Sequence, residues 1–382
     1  RTVAYIITNL SDKQAYTTDK KKIESVSITK NNDVYFKGTY NLIQFNADLN
    51  GDKAPDIFGP FTLTDDSTVN CKSNYRRWQT EATALAKAKG IDLTKYNHNV
   101  FIIPNLGSCK FAGIANIGSL TAKGPYRTSI RQEGNAPRVI AHELGHNIGL
   151  HHAAVDPNND GKHNTQSNSE EYGDHSCLMG IKLRNFNAPH LIQLGAFDRY
   201  QARVIKAKTG TNKYKLYPLY GDPATTTGAM VITYPNLTLS RMYVLSFKTA
   251  KYYDSGIAAK YKTGVSIHTH SYYFTGRTLH VKTLQDGESF KDGDGFEIKQ
   301  IKKDPNNAFV EIEITTPKPS TKCKPAAPVF TAQVNPVKVG LNTSASLRFT
   351  IENKDNVDCG NALFYVTPTL PGGYTVTNAR YK

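Results

Sequence analysis

The chain has 382 residues, of which 39% are hydrophobic, and this apolar content is sufficient for two or three cores in a folded, multidomain protein. Lysine and arginine (47) outnumber aspartate and glutamate (32), and the formal net charge of +15 either attracts acidic polymers, anionic glycans or membrane surfaces or only keeps the protein in solution. The sequence contains no run of 18 apolar residues, no basic helix and no Cys/His finger, so we expect neither a transmembrane helix nor specific nucleic-acid recognition.

The first 200 residues predict a mixed α/β unit. The chain begins with Arg1 instead of methionine and runs directly into the strand-like TVAYIIT, so we expect a secreted, mature form without its signal peptide and pro-segment. The segment SNYRRWQTEATALAKAKG places Tyr75, Trp78 and Ala82 on one face of a helix that Gly90 can close. NVFIIP predicts another strand, and FAGIANIG and RTSIR predict two short edge strands.

The rest of the chain predicts one further helix and then β structure. The helix spans NAPRVIAHELGHNIG, with Asn135 as its N-cap and Pro137 in its first turn. Aromatic and β-branched runs after it predict an all-β sandwich, and a Pro/Lys-rich linker separates this sandwich from a small Ig-like β module, either truncated or complete but marginal. The predicted units are residues 1–205, 206–316, 317–328 and 329–382.

The segment IAHELGHNIGLHH, at residues 140–152, suggests metal chemistry. His142 and His146 are four residues apart, so both imidazoles lie on one face of a helix and can reach one ion. Glu143 points to the side of that ion where a bound water would sit. Zinc lowers the pKa of such a water to about 7, and a carboxylate within reach can take its proton and pass it to a leaving amine. These residues suit the hydrolysis of an amide bond.

A third ligand is required, and a continuous helix would place Leu150 on the metal face. Gly149 resolves this problem, because glycine adopts positive φ at little cost and lets the chain turn out of the helix. His152 can then return to the metal and complete H-E-x-x-H-x-x-G-x-x-H, the metzincin signature, while His151 is out of register and is interpreted as a solvent-exposed or supporting residue. Three histidines leave a fourth position for water, as catalytic zinc sites do.

The metzincin signature also requires a methionine downstream. Met179 in EYGDHSCLMG is expected to pack beneath the ligands, and ordinary core packing would look much the same. HELGHNIGLHH, YGDHSCLMG and NFNAPHLIQLGAF, with the segment upstream from Cys71, resemble the gametolysin-like metzincins, peptidase family M11, over most of residues 70–200. The resemblance implies an α/β metzincin-type catalytic domain and a secreted zinc endopeptidase, made as a zymogen, that acts on extracellular matrix or cell-wall proteins.

The resemblance also implies roles for individual residues. It makes His142, His146 and His152 the zinc ligands, Glu143 the general base and Met179 the methionine of the turn. It implies that AGIANIG is an edge strand holding the substrate in extended, antiparallel form, and that NFNAPH lines the pocket for the side chain after the scissile bond. The substrate-binding residues expected on this basis are Gly113, Ile114, Ala115, Asn116, Asn187, Pro189 and His190.

One position departs from the related astacin-like and serralysin-like enzymes. These enzymes carry a tyrosine two residues after the methionine, where this sequence has Ile181. A phenolic stabiliser of the oxyanion therefore cannot be assigned at that position. Tyr172, His175 and His190 are alternative candidates, and each of them is better explained as a structural residue than as a catalytic one.

The cysteines predict disulfides instead of a thiolate metal site. None of the five is in a CxxC pair, which argues against zinc-thiolate or thioredoxin-type chemistry. We expect two disulfides, with Cys71–Cys109 and Cys323–Cys359 the favoured pairs. Cys177 is expected to be a buried, inert thiol, with disulfide pairing the second interpretation and a redox role the third.

Two weaker patterns are interpreted as ordinary structure. The loops that begin at Asp48 and Asp156 resemble calcium loops but lack the glutamate at position 12 of an EF-hand, so polar turns are favoured over a Ca²⁺ site. His268 and His270 alternate along a strand without an acidic partner nearby in sequence, and we interpret both as surface residues.

The sequence as a whole predicts a monomeric zinc endopeptidase that binds a protein or glycoprotein substrate in extended form. The alternative is an adhesion or binding protein whose metal site is structural and whose basic β modules bind the partner. Glu143 counts against this alternative, because a structural zinc site needs no base beside it.

Overall fold

The structure is a computed structural model, and it describes residues 1–15, 19–122, 124–131, 137–161, 169–236, 240–271, 275–318, 322, 324–332 and 349–356. None of the helices in these ranges is long and apolar enough to cross a membrane. Asn135, Cys323, Cys359 and most of the predicted Ig-like module lie outside the described residues, so the N-cap, the second disulfide and that module stay predictions.

The first sheet is built from five strands in the order β2-β1-β3-β5-β4. All neighbours pair in parallel except β4, which is antiparallel to β5. The prediction of an edge strand at RTSIR is wrong, because β5 lies between β3 and β4, whereas β4 lies at the edge as predicted. The strands are β1 (Val3–Asn9), β2 (Ile57–Thr62), β3 (His98–Ile103), β4 (Gly113–Ala115) and β5 (Tyr126–Arg131).

Helices accompany this sheet, and the first two were not predicted from the sequence. A π-helical turn, Glu24–Ile28, joins those two helices. The α-helices are α1 (Lys20–Ile23), α2 (Thr29–Gly38), α3 (Cys71–Ala88), α4 (Pro137–Asn147) and α5 (Ala188–Gln193). Short 3₁₀ turns lie at Leu93–Lys95, Gly107–Cys109, Asp198–Arg203, Tyr252–Asp254 and Ala259–Tyr261.

The first sheet is covered on both faces, because alternate residues of β1 pack into two different cores. Ala4 and Ile6 pack with α3, whereas Tyr5 and Ile7 pack with α2 and α4. The Cys71–Cys109 disulfide is confirmed, with 4.5 Å between its Cα atoms. It ties the start of α3 to the turn that precedes β4, and so fixes the approach to the sheet edge.

Two further sheets follow and share a core of their own. Their strand orders are β6-β12-β11-β10-β9-β7 and β13-β14-β15-β8. The six-stranded sheet comprises β6 (Ala153–Val155), β7 (Val204–Lys206), β9 (Val231–Asn236), β10 (Arg241–Phe247), β11 (Val265–Ser271) and β12 (Thr278–Thr283). The four-stranded sheet comprises β8 (Gly210–Leu216), β13 (Ser289–Lys291), β14 (Glu297–Lys303) and β15 (Val310–Thr316). After these, β16 (Val329–Ala332) pairs with β17 (Phe349–Glu352).

The α/β region and the β region are continuous at their junction. Strand β6 begins one residue after His152 and pairs in parallel with β12 of the second sheet. The core that contains α4 also contains Met230 and Met242 from the β region. The division after residue 205 stays a prediction, and the structure shows that a shared sheet and a shared core extend across it.

The prediction that His268 and His270 are surface residues is wrong. Both lie on β11, in the middle of the second sheet, and their exposed fractions are 1% and 2%. Alternation along a strand indicates exposure only when one face of the sheet meets solvent, and this sheet is covered on both faces. His268 contacts the buried carboxylate of Asp174 at 3.2 Å.

Candidate metal centre

Helix α4 ends in a turn that redirects the chain. Gly149 has a φ of 99°, and its N–H donates to the carbonyl of His146 at 2.9 Å. The N–H of Leu150 donates to the carbonyl of Gly145 at 2.9 Å, which completes the hydrogen-bond pair of a Schellman motif. The left-handed backbone at Gly149 therefore lets the chain turn out of the helix, as the sequence predicts.

Beyond this turn the three predicted ligand histidines converge. A ring nitrogen from each of His142, His146 and His152 lies within 4.8 Å of the other two. The ring centroids are 4.9 Å, 5.3 Å and 4.8 Å apart. Among the described residues, no other group of three histidine, cysteine or carboxylate side chains is placed to share an ion in this way.

Each of these imidazoles uses its Nδ1 atom to fix the orientation of its ring. The partners are oxygens that only accept, so each Nδ1 carries the proton and each Nε2 presents a lone pair. The acceptors are the Leu178 carbonyl for His142 (3.1 Å), the Leu150 carbonyl for His146 (2.7 Å) and the Glu171 carboxylate for His152 (2.6 Å).

The donor set suits a zinc ion. Burial and the neighbouring histidines lower the pKa of His142 to about 3, and burial lowers the pKa of His146 to about 4 and also that of His152, so all three rings are neutral at pH 7. The Nε2 atoms of His146 and His152 are 3.1 Å apart, and two facing lone pairs at that distance repel unless a cation lies between them. Three neutral imidazoles with a fourth position open are the ligands of a catalytic zinc site.

Glu143 follows the first of the three histidines on α4 and is almost completely buried, with 6% of its surface exposed. Burial raises the pKa of Glu143 to about 8, and the charge of Arg138 partly offsets this effect. A Cβ atom on Gly113 of β4 would lie 2.6 Å from Cγ and 2.7 Å from Oε1 of Glu143. The edge strand can therefore approach the glutamate only because position 113 has no side chain.

Met179 packs directly under α4. Its side chain is fully buried, and a Cβ on Gly145 would lie 2.4 Å from its sulfur. Its carbonyl accepts the N–H of Ala153, the first residue of β6, at 2.9 Å. The methionine thus lies against the helix that carries His142 and His146 and beside the strand that follows His152.

A comparison with known families identifies the chain. The model of the gametolysin peptidase M11 family matches residues 15–282, which is well over half of the 382 residues. The chain belongs to the M11 peptidase family. It is therefore a metallopeptidase, and its three converging histidines are placed to bind the metal.

Solved structures of OgpA from Akkermansia muciniphila are similar to this M11 peptidase at low sequence identity. Wild-type OgpA from Akkermansia muciniphila is similar at 12% sequence identity, with a TM-score of 0.34, over 73% of this chain and 92% of that chain. Catalytically inactive OgpA in complex with an O-glycopeptide substrate, glycodrosocin, is similar at 9% identity, with a TM-score of 0.32, over 73% and 91% of the two chains. None of the curated proteins matches the chain.

Strand β4 of the M11 peptidase lies at the edge of its sheet beside the metal centre, and no described strand pairs with its outer side. On its inner side, the Arg131 N–H donates to the Ala112 carbonyl and the Asn116 N–H donates to the Arg127 carbonyl. Backbone groups alternate in direction along a strand, so the N–H and C=O groups of Gly113 and Ala115 point outward. Two further bonds hold the segment to α4: Asn147 Nδ2 to the Asn116 carbonyl (2.9 Å) and the Gly118 N–H to the His146 carbonyl (2.8 Å).

The remaining residues predicted to bind substrate lie in the core. Asn187, Pro189 and His190 are buried at the start of α5. Asn187 Nδ2 donates to Asp174 at 3.0 Å and to Thr278 at 2.8 Å, and its Oδ1 caps α5 through the His190 N–H. These bonds join α5 to the β region, and the pocket-lining role of the three residues stays a prediction.

Two other predictions concern Cys177 and the two loops that resemble calcium sites. Cys177 is free and buried, and burial followed by the charge of Asp174 raises the pKa of its thiol to about 12, which is the inert state that we expected. In the two loops that resemble calcium sites, Asp48 and Asp156 each accept two backbone N–H groups of their own loop. These bonds are those of polar turns.

The sequence did not reveal the residues that hold His152 in place. Glu171 accepts the Nδ1–H of His152, and Arg277, the residue before β12, pairs with the same carboxylate oxygen. Carboxylates in this position orient a ligand histidine and increase its basicity. No sequence motif indicates the pair, because 106 residues separate Glu171 from Arg277.

Replacing Glu171 by alanine is expected to weaken zinc binding by roughly 10–100-fold, the usual effect of losing such a partner. A competition titration with a chromophoric chelator measures this change. Glu170→Ala is the matched control, because the bonds that Glu170 makes to Val155 are backbone bonds. An equal loss of affinity in both variants would mean that the turn has collapsed and that the Glu171 carboxylate has no specific role.

Proposed function

We propose that this M11 metallopeptidase is a zinc endopeptidase of the metzincin type. The observation that carries the proposal is the convergence of three neutral imidazoles next to a buried carboxylate, beside an open strand edge. His142, His146 and His152 would hold the zinc. When bound, zinc polarises the scissile carbonyl and lowers the pKa of a water molecule.

Glu143 supplies the proton transfers in this proposal. It takes a proton from the attacking water as the water oxygen bonds to the carbonyl carbon, and delivers it to the amide nitrogen as the C–N bond breaks. Its burial favours the neutral form that exists between the two transfers, and the charge of a bound metal would favour the ionised form that accepts the first proton. Gly113 keeps the strand that would hold the substrate close to the carboxylate without displacing it.

We propose that the substrate binds as an extra, antiparallel strand along the outer edge of β4. Gly113 and Ala115 would then exchange backbone hydrogen bonds with the peptide, and side chains near the scissile bond would take pockets, one of them lined by NFNAPH. A cleaved peptide can be N-methylated at one amide at a time. Methylation of an amide that bonds to Gly113 or Ala115 is expected to raise the KM of the peptide about tenfold, because the peptide loses one hydrogen bond to the strand edge.

The amide groups of an extended peptide point alternately toward β4 and away from it, and this alternation provides the internal control for that experiment. Amides that point away from β4 are one residue removed from those that bond to it, so N-methylation there is expected to change KM by less than about twofold. Steady-state kinetics on a full scan of one peptide measures the pattern. Equal effects at every position, or none at any, would contradict strand addition.

The remaining proposals concern the environment and the attached modules. The disulfide between Cys71 and Cys109 supports a secreted protein in an oxidising environment. We also propose that the enzyme is made as a zymogen and acts as a monomer. The shared core of the second and third sheets supports a β-sandwich over residues 206–316, and we propose an Ig-like module at residues 329–382. The substrate in this proposal is a protein or glycoprotein, and the net charge of +15 supports additional binding of acidic polymers.

The test is proteolysis of a denatured-protein peptide library by the zinc-loaded chain. New termini, read by mass spectrometry, are expected with the loaded chain, absent after chelation and restored by zinc. The same experiment gives the side-chain preference on each side of the cut. A loaded, folded chain that cuts nothing would favour a binding protein with a structural metal site.

A further inference from the structure

Residues 170–173 form a tight turn over the metal centre. Glu170 and Val155 exchange two backbone hydrogen bonds of 3.0 Å, and the Gly173 N–H closes the turn on the Glu170 carbonyl at 3.1 Å. Tyr172, the third residue of the turn, has a φ of 63°, in the left-handed region that residues with side chains avoid. Strain of this kind concentrates at functional sites.

The Tyr172 side chain lies directly on the ligand histidines. Its ring centroid is 4.0 Å from the ring of His152 and 5.8 Å from the ring of His142. The same turn places Glu171 on the Nδ1 atom of His152, so His152 is held at its edge by one turn residue and on its face by the next. With 38% of its surface exposed, Tyr172 is open to an arriving substrate.

Among the described residues, the hydroxyl of Tyr172 has no hydrogen-bond partner. By contrast, the Tyr35 hydroxyl donates to the Ala141 carbonyl at 2.6 Å and the Tyr220 hydroxyl donates to the Phe186 carbonyl at 2.8 Å, both within the same core. A phenol that only packed against His152 could be a phenylalanine, whereas a partly exposed donor beside two of the ligand rings can bond to a substrate.

We propose that Tyr172 is a catalytic residue whose hydroxyl donates a hydrogen bond to the carbonyl oxygen of the scissile peptide bond. The inference rests on the proposed endopeptidase function. As water attacks the carbonyl carbon, the C=O electron pair moves onto the oxygen, and a donor held in place stabilises the charge that develops there. Glu143 holds the proton of the water at that stage, so the two residues have separate roles.

The left-handed backbone explains how a residue so close in sequence to Glu171 reaches the substrate side. At φ 63° the turn directs Tyr172 over the face of His152, while Glu171 bonds to the ring edge. Of the three candidates that the sequence offered for this role, His190 is fully buried on Cys177, and the N–H of His175 bonds to Tyr261 of the β region. Tyr172 alone stacks on a ligand ring.

The experiment compares Tyr172→Phe with Tyr172→Ala in the full, zinc-loaded chain. Phenylalanine keeps the ring on His152 and removes only the hydroxyl. We expect Tyr172→Phe to lower kcat about 10²-fold, the usual loss for one oxyanion donor, with KM and zinc affinity within about twofold of wild type. The Kd of a phosphinic peptide that copies the cleaved sequence is expected to rise about tenfold, because its anionic oxygen loses the same donor.

Tyr214→Phe is the matched control, since it removes a hydroxyl from β8 in the third sheet and is expected to leave all of these values unchanged. The proposal would be overturned if Tyr172→Phe kept wild-type kinetics and wild-type affinity for the phosphinic peptide while only Tyr172→Ala lost zinc affinity. Tyr172 would then be a positioning residue for His152. A wild-type chain that cleaves no peptide would instead overturn the proposed function, and this inference with it.

Discussion

Replacing Glu143 by glutamine is expected to lower kcat about 10³-fold, within the range of 10²–10⁴ that a general acid–base contributes. Glutamine has the same shape as glutamate, so it fits the space beside β4, where a Cβ atom on Gly113 would lie 2.6 Å from Glu143 Cγ. It cannot accept the proton of the attacking water. The three ligand nitrogens and their oxygen partners do not involve this side chain, so zinc binding is expected to persist.

The measurement is the rate of cleavage of one library-derived peptide, alongside zinc content and the circular dichroism spectrum of each variant. Glu170→Gln serves as the control, because it also removes one carboxylate close to the centre. Full activity in Glu143→Gln would exclude Glu143 as the base. Loss of both zinc and structure in that variant would show that the carboxylate has a structural role in the buried site.

The metal centre could be predicted from the sequence because its geometry is local. His142 and His146 share a helix face by their spacing, and Gly149 provides the one backbone conformation that returns His152 to them. The Cys71–Cys109 disulfide was also predictable, since it joins two segments that the sequence already placed in the same α/β unit. The ligand histidines lie within 10 residues of one another, and the two cysteines, 38 residues apart, still belong to one predicted unit.

The features that the sequence did not reveal depend on pairings between distant segments. Strand β6 joins β12, more than 120 residues later, and this pairing brings Arg277 to Glu171. The second sheet packs on the α/β region through one face and on the third sheet through the other, which is why the alternation at His268 indicated a surface strand and was misleading. Periodicity within one segment carries no information about which segment will lie opposite it.

The segment that contains Met179 depends on the β region for its conformation. Lys248, whose side chain is 2% exposed, donates to the Ser176 carbonyl at 2.5 Å and pairs with the buried carboxylate of Asp254 at 3.0 Å. Asp254 in turn accepts the N–H of Asn185 at 3.2 Å. Removal of one partner from a buried ion pair typically destabilises the folded protein by about 3–5 kcal/mol, because the other charge stays buried without its partner.

A chain that ends at residue 205 is therefore expected to lose the zinc site, although it contains all three ligands and Glu143. It lacks β12, which pairs with β6 beside His152, and it leaves Asp174 without His268. Several buried polar groups would lose their partners at once, at about 1–3 kcal/mol each, against a total stability of about 5–15 kcal/mol.

A chain that ends at residue 316 is the matched control, because it retains the second and third sheets and every contact described around the centre. It is expected to bind one zinc ion and to cleave peptides like the full chain, whereas the shorter chain is expected to lack both zinc and a cooperative thermal transition. Zinc analysis and calorimetry of the two chains make the comparison. Tight zinc binding by residues 1–205 would show that the α/β unit folds alone and that the β region acts on substrate, not on the metal centre.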